Sequence, residues 1–301
     1  VAAAGAVMLL AEHFVKAPEW TWLILAYFFL AGLSGGTYAL GTMLRLFGRS
    51  ADVPAARFAF LVSLPLLVLC PVLLTLDLGQ PLSFWHMLID NANGSLNFKY
   101  LSPMSVGAWG LFIFGIFSFI SFVDALLAFR RPDSSGGLLT GLLGSVVMIL
   151  GTVFGLYICA YTGVLLSVSN QPVWSDGWPL GGLFLGSALS GSAALLLLAV
   201  RYRADLQPSA RGLTAADRYF VILEAGLIVV FLATVFLAGT AAKLFTPIGI
   251  LLWLFVLAGL AAPFLLHRGM AERGRLSPLA PLIVLAGVLA LRAVVIFGAQ
   301  S

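Results

Sequence analysis

Four ionisable side chains lie within or beside long apolar runs of the sequence. They are Asp77, Asp124, Glu224 and Arg292. A charged side chain at the centre of a bilayer costs about 2.5–3.5 kcal/mol on insertion scales, so such residues usually take part in ion, proton or substrate chemistry. Asp77 and Arg292 are expected at similar depth, where they could form a pair that handles protons.

The other two carboxylates, Asp124 and Glu224, are expected toward the opposite surface of the membrane. Carboxylates that cross the apolar layer can relay protons, so these two are candidates for a proton path. For Asp124 the simpler interpretation is an interfacial position beside Arg130 and Arg131. For Glu224, which lies deeper, a structural role and a functional role both remain open.

Three tyrosines lie in the same halves of two apolar runs: Tyr27 in the first, and Tyr157 and Tyr161 in the fourth. A tyrosine hydroxyl on an apolar wall can hydrogen-bond an oxygen atom of an otherwise apolar ligand. Tyrosines are also common in the aromatic belts at membrane surfaces, which is the alternative interpretation.

The histidines and cysteines argue against a redox cofactor held by this chain. A membrane haem needs facing histidines inside helices, whereas His13, His86 and His267 lie before, between or at the ends of the apolar runs. Cys70 and Cys159 have no spacing typical of a cluster or metal site. The sequence predicts no haem, no iron–sulfur cluster and no metal, so any electrons would pass between a lipid-soluble carrier and a partner subunit.

The composition indicates the elements that position these residues. The 301 residues are 61% hydrophobic and 9% charged, whereas soluble domains carry about 25% charged residues. A helix that crosses a bilayer needs about 20 apolar residues. We predict an all-α integral membrane fold surrounded by lipid, with helices at 20–47, 56–76, 104–129, 138–168, 179–200, 217–239, 247–267 and 278–298.

The loop charges predict the orientation, since positive residues concentrate on the cytoplasmic side. Loops after the odd-numbered helices carry twelve arginines, whereas the opposite loops carry only Lys16, Lys99 and Lys243. Both termini are therefore predicted to be periplasmic, in a bacterial inner membrane, with residues 1–19 as an outer-side segment. The formal net charge of +4 follows from this loop pattern and does not indicate nucleic-acid binding.

A faint internal repeat divides the chain. A shift of 156 positions aligns Phe28 with Phe184 and residues 33–35 with 189–191. Both segments would run in the same direction, which predicts a parallel repeat of four helices each. The predicted domains are a first four-helix bundle at 20–168 and a second at 169–301. Long polar loops on the outer face would carry docking or function.

Several segments, in order along the chain, resemble a known family. The segments are Trp20–Leu40, Leu76–Pro81 (LDLGQP), Ser102–Trp109 (SPMSVGAW), Tyr161–Ser167 with Pro172–Trp174, and Leu291–Gln300. Together they resemble the NrfD/polysulfide reductase membrane subunits.

The resemblance implies two four-helix bundles, no haem and a pocket for a quinone, such as menaquinone, near the outer surface. It also implies a ferredoxin-like iron–sulfur subunit above that pocket on the periplasmic face. That subunit would relay electrons to or from a catalytic subunit, often a molybdopterin enzyme.

Individual residues carry over only where the motif matches. Tyr161 matches the fourth-helix tyrosine that contacts quinone in the polysulfide reductase, and Asp77 matches the acidic turn. Tyr27 stands where that enzyme has a histidine, Ile24 where it has an asparagine, and Gln80 where many members have an arginine. The side chain of the first helix that would donate a hydrogen bond to the quinone therefore differs from that of the polysulfide reductase.

The side-chain chemistry and the family resemblance together predict one site. Asp77 and Tyr161 are the expected catalytic residues, and Tyr27 and Arg292 complete the expected quinone site. One alternative is a proton-translocating NrfD-like subunit of a larger energy-converting complex, which would use Asp124 and Glu224. The others are a secondary transporter and a non-redox membrane anchor.

Overall fold

The computed structural model describes residues 19–89, 94–130, 139, 141–266 and 278–300. Within them lie eight helices long and apolar enough to cross a membrane. They are α1 (Trp22–Phe47), α2 (Val53–Asp77), α3 (Pro103–Arg130), α4 (Gly141–Ser167), α5 (Leu180–Tyr202), α6 (Ala210–Leu237), α7 (Pro247–Leu265) and α8 (Leu279–Gly298). The predicted segment at 1–19 falls almost entirely outside the described residues.

The predicted helices agree with these bounds to within a few residues, except that α6 begins at Ala210 and not at 217. Its first two turns are amphipathic, with Leu213 and Asp217 buried and Arg211 exposed. Because the polar residues of these turns interrupt the apolar run, the sequence pattern placed the start too late. Glu224 therefore lies near the middle of α6.

Helices α1 and α5, which like α8 are mostly buried, contact each other and α4. Small residues permit this approach, as is usual between helices in lipid. A Cβ atom on Gly35 of α1 would lie 2.2 Å from the carbonyl oxygen of Gly155 on α4, and one on Gly36 would lie 2.3 Å from the Ser192 hydroxyl on α5. Around this centre α1 also packs against α2, and α5 packs against α6 and α8. The division into two four-helix bundles stays a prediction.

One end of the helices, which we call the Asp77 end, gathers three distant parts of the chain. The Trp20 amide donates to Gln300 Oε1 (2.9 Å), and the Trp174 indole donates to the Val295 carbonyl (2.7 Å). The rings of Trp20 and Trp174 lie 4.8 Å apart. We call these contacts the tryptophan clasp. They place the start of α1, the α4–α5 connection and the end of α8 side by side.

The opposite end, which we call the Arg45 end, joins the α1–α2 and α5–α6 connections. The Asp52 carboxylate accepts hydrogen bonds from the Ser209 hydroxyl and the Arg49 amide, both at 2.8 Å. The Arg203 guanidinium lies over the Phe58 ring at 5.2 Å. Which end faces the cytoplasm stays a prediction. Five of the loop cations used for it, Lys16, Arg131, Arg268, Arg273 and Arg275, lie outside the described residues.

Candidate functional site

The three tyrosines singled out in the sequence lie together near the Asp77 end. Tyr157 and Tyr161 are four residues apart on α4 and therefore share one face of that helix. Their rings lie 5.7 Å apart. Tyr27 of α1 and Cys70 of α2 are buried in the hydrophobic core against which Tyr157 packs. We call Tyr27, Tyr157 and Tyr161 the tyrosine cluster.

Two glycines on α3 make room for this cluster. A Cβ atom on Gly107 would lie 2.0 Å from Cζ of Tyr161, and one on Gly110 would lie 2.5 Å from Cε1 of Tyr157. The phenol rings therefore rest directly on the α3 backbone. Sequence reasoning missed both glycines, although their spacing of three places them on one face of a helix.

The Tyr161 hydroxyl has a defined direction. It donates to the carbonyl oxygen of Pro103 at 2.9 Å. A phenol has one proton to donate and two lone pairs that accept. Because the proton is engaged with Pro103, the Tyr161 oxygen is set to accept a hydrogen bond from a hydroxyl group of a ligand.

Asp77 is the last residue of α2 and is half-buried. Its carboxylate accepts a hydrogen bond from the Thr21 hydroxyl at 2.8 Å, and the same hydroxyl caps α1 by accepting from the Leu23 amide. At 1.5 Å per residue, Thr21 stands roughly 9 Å along α1 from Tyr27. Asp77 therefore lies nearer the end of the helices than Tyr27.

Arg292 lies elsewhere, and the predicted pairing with Asp77 is wrong. The fully buried guanidinium donates to the Ser187 hydroxyl at 2.8 Å and to the Phe184 carbonyl at 3.2 Å. Since α8 packs against α5, Arg292 faces α5 and not the end of α2. A Cβ atom on Gly32 of α1 would lie 2.7 Å from Nη2, so this glycine leaves space for the guanidinium.

Glu224 belongs with Arg292 in a buried polar array. The Ser190 hydroxyl of α5, one turn from Ser187, donates to the Glu224 carboxylate. Because Arg292 bonds Ser187 and Glu224 bonds Ser190, the two serines connect these ionisable groups along one face of α5. Asp217, two turns from Glu224 on α6, is also buried. The sequence analysis did not assign a role to Asp217, Ser187 or Ser190. The available signal was their spacing: the two serines lie one turn apart on α5, and Asp217 lies two turns from Glu224 on α6.

Two orphaned atoms mark this array. Asp217 Oδ1 and Arg292 Nε are buried without a hydrogen-bond partner among the described residues. Buried polar atoms are rarely left unpaired unless water or a functional role accounts for them. Asp124, the other candidate for a proton path, lies apart at the Arg45 end, where its carboxylate accepts from the Leu139 amide at 3.0 Å.

The side-chain chemistry suits an organic ligand. Among the described residues there is no group of three or more His, Cys, Asp or Glu side chains that could hold a metal ion. His13 and His267 lie outside that part of the chain. Hydroxyl groups on apolar walls, as in the tyrosine cluster, fit a flat apolar ring that carries hydroxyl or carbonyl oxygens.

Comparison with known proteins agrees with the resemblance noted in the sequence. Residues 10–301 match the family described as "Polysulphide reductase, NrfD". The chain is 28% identical over 307 aligned positions to the C subunit of polysulfide reductase from Wolinella succinogenes, an alignment that covers 94% of each protein. It is 26% identical over 255 positions to protein NrfD of Escherichia coli K12, which covers 77% of this chain and 74% of the relative.

Proposed function

Because the chain belongs to the NrfD family of polysulphide reductase membrane subunits, we propose that it is the quinone-reactive membrane subunit of a respiratory oxidoreductase. It exchanges electrons between membrane quinone and an iron–sulfur partner subunit. The observation that carries this proposal is the tyrosine cluster, with the Tyr161 oxygen directed to accept a hydrogen bond. The eight apolar helices make it a multi-pass membrane protein, and a bacterial inner membrane is the proposed location.

The residues at the Asp77 end have separate roles in binding the quinone and in transferring its protons. A reduced quinone supplies two electrons and two protons when it is oxidised. Tyr161 orients the ring by accepting from one of its hydroxyl groups, and Tyr27 closes the apolar wall. Asp77, half-buried at the end of α2, accepts the two protons one after the other, directly or through water, and releases each at the surface. Arg292 is too well engaged with α5 to contribute, so we remove it from this site.

The proposed partners follow from the same end of the molecule. The name of one relative, the C subunit of a polysulfide reductase, implies further subunits in a complex. We place a ferredoxin-like iron–sulfur subunit on the Asp77 end, predicted to be periplasmic, because that end carries the tyrosine cluster. A catalytic subunit, of the molybdopterin type, would exchange electrons with it.

The test uses the detergent-purified native complex without oxygen. A reduced quinone analogue is added, and the iron–sulfur signals of the partner are followed by low-temperature electron paramagnetic resonance. We expect cluster reduction in the unaltered complex and much slower reduction in Tyr161→Phe and Asp77→Asn. Tyr38→Phe is the matched control, since Tyr38 is a buried tyrosine whose hydroxyl bonds Ser121 at 2.7 Å, on the α3 side of α1. Unchanged rates in both site variants would overturn the assignment.

A second function, proton translocation, is favoured by the buried polar array. The series from the Arg45 end of α6 to α8 is Asp217, Glu224, Ser190, Ser187 and Arg292. Hydrogen bonds join Glu224 to Ser190 and Arg292 to Ser187, whereas the buried Asp217 lies two turns from Glu224. The orphaned Asp217 and Arg292 atoms mark places where water would complete the series. With this array, Glu224 remains a candidate for a proton path, whereas Asp124 lies on α3 and binds the Leu139 amide of the α3–α4 connection.

Proton movement is tested with the complex in sealed vesicles that contain a pH-sensitive dye. If the array conducts protons, Glu224→Gln lowers the quinol-driven change of internal pH while electron transfer to the partner continues. The control is Asp205→Asn, which removes an exposed carboxylate paired with Arg203 at 2.7 Å. A pH change that is equal in Glu224→Gln and the unaltered protein would show that the array is structural.

A further inference from the structure

A cavity of about 430 Å³ lies beside the end of α2, in the connection that leads to α3. Its walls are Leu78, Gln80, Ser83, His86 and Met87. Ligand pockets usually measure about 300–1,000 Å³ and combine apolar walls with a few polar groups. This cavity has both, since two of its side chains are apolar and three can form hydrogen bonds.

His86 is the polar group with the strongest indication of a ligand. Its ring nitrogen Nε2 is buried and has no hydrogen-bond partner among the described residues. The residue is held in place, because its carbonyl accepts from the Asn97 side chain at 2.9 Å and its ring lies 4.0 Å from that of Trp85. A fixed imidazole with an unused nitrogen is ready to bond a hydroxyl or carbonyl group.

Asn97 connects this cavity to the tyrosine cluster. Its side chain holds His86, while its carbonyl accepts from the Trp109 indole (3.1 Å) and the Ser105 hydroxyl (3.3 Å) on the first turns of α3. The same turns contain Pro103, the partner of the Tyr161 hydroxyl. The cavity and Tyr161 therefore lie at the same end of α3.

The surroundings of the cavity are apolar. The described part of the α2–α3 connection, residues 78–89 and 94–102, exposes large apolar side chains, including Leu82 (90%), Leu101 (81%), Leu96 (72%), Phe84, Phe98 and Tyr100. They continue the exposed apolar surfaces of α2 and α3, which bury only 28% of their membrane-spanning windows. Aromatic and aliphatic side chains of this kind favour the membrane interface. The cavity thus opens among exposed apolar side chains, which suit contact with lipid.

We propose that this connection is a lateral port for quinol, in which the cavity binds the head group on its way from the lipid to the tyrosine cluster. The ligand class is a neutral ring with hydroxyl or carbonyl oxygens on a long apolar tail. His86 Nε2 bonds one ring oxygen, Gln80 and Ser83 offer further partners, and the tail remains in the outer leaflet beside Leu82. This inference rests on the proposed function.

The first test measures quinol oxidation by the purified complex against the concentration of a reduced quinone analogue. His86→Leu removes the hydrogen bond, so we expect KM to rise about three- to tenfold with kcat unchanged. His86→Gln keeps a polar group there and should recover most of the loss. Ser95→Ala is the control, since Ser95 is exposed in the same connection. An unchanged KM in His86→Leu, or a loss confined to kcat, would overturn the port.

The second test asks whether lipid covers the connection. A nitroxide label is attached at Leu82→Cys or, as the control, at Ser95→Cys in vesicle-reconstituted complex; the native Cys70 and Cys159 are buried. We expect oxygen, which partitions into lipid, to accelerate the spin relaxation of the label at 82. A water-soluble nickel chelate should accelerate the spin relaxation of the label at 95. A label at 82 that the chelate reaches in the membrane-bound chain, and that the partner subunit shields, would show a protein-docking surface instead.

The two proposals fail in different ways. If the unaltered complex never transfers electrons between quinone and its clusters, the proposed function and the port fall together. If it does so with an unchanged KM in His86→Leu, only the port is wrong.

Discussion

The contact of Gly107 with Tyr161 gives a sharp test of the site. In Gly107→Ala the new methyl group would stand 2.0 Å from Cζ and 2.1 Å from the oxygen of Tyr161. Carbon atoms in contact lie about 3.5–4.0 Å apart, so the ring must retreat by about 1.5 Å. The hydrogen bond to Pro103, now 2.9 Å, would then be lost, because such bonds weaken steeply beyond about 3.2 Å.

The expected magnitudes separate stability from activity. The lost hydrogen bond costs about 0.5–1.5 kcal/mol, and overpacking adds about 1–3 kcal/mol. The variant should therefore still assemble. A displacement of about 1 Å at a reacting group costs on the order of a hundredfold in rate, so turnover should fall far more than stability.

The assay is quinol-driven reduction of the partner clusters, with thermal unfolding of the same sample as a check on folding. Gly115→Ala, on the same helix, is the matched control, since its methyl group would meet only Leu67 at an ordinary 3.9 Å. If Gly107→Ala turned over as fast as Gly115→Ala, the position of Tyr161 would not matter to the reaction, and the reasoning would be refuted.

Two further predictions concern the packing that holds this site. Gly35→Ala would press a methyl group to within 2.2 Å of the Gly155 carbonyl, a backbone atom that cannot turn aside, so we expect a marked loss of thermal stability; Gly212→Ala, with open space around it, should be neutral. Trp174→Phe would lose the 2.7 Å hydrogen bond of the tryptophan clasp and leave a buried carbonyl unpaired, at a cost of about 1–3 kcal/mol. In Trp178→Phe, at a position 72% exposed, unfolding should be almost unchanged.

The helices could be predicted because lipid imposes one strong requirement on sequence. Each span must be apolar for about 20 residues, and this pattern located all eight helices to within a few residues apart from the start of α6. There the buried side is polar, with Thr214 and Asp217, and an apolar window cannot detect a helix whose inward face carries such residues.

The site was predictable in depth but not in lateral position. Residue counting along a helix places Asp77 and Arg292 at similar levels, yet it does not say which neighbours each helix faces. The position of Arg292 is decided by the packing of α8 against α5, where Ser187 offers a hydroxyl at 2.8 Å. Tyr157 and Tyr161 could be placed together because a spacing of four puts them on one helix face.

The internal shift of 156 residues corresponds to a shared contact. Ser34 of α1 and Ser190 of α5 are equivalent positions, and each hydroxyl donates to the helix that follows its own. Ser34 bonds the Ser63 carbonyl on α2 at 2.8 Å, whereas Ser190 bonds the Glu224 carboxylate on α6. Equivalent serines thus face a neutral partner in one half and an ionisable one in the other, which the repeat alone did not predict.

The tryptophan clasp sets the order in which the protein can be completed. The bond between Trp20 and Gln300 spans 280 residues, so it cannot form until the ribosome has delivered α8 and Gln300. At about 5–20 residues per second, the start of α1 therefore waits roughly 15–55 seconds for its final neighbour. A nascent chain truncated before α8 would insert its earlier helices. Trp20 would then lack its hydrogen-bond partner Gln300, and Trp174 would lack its partner Val295.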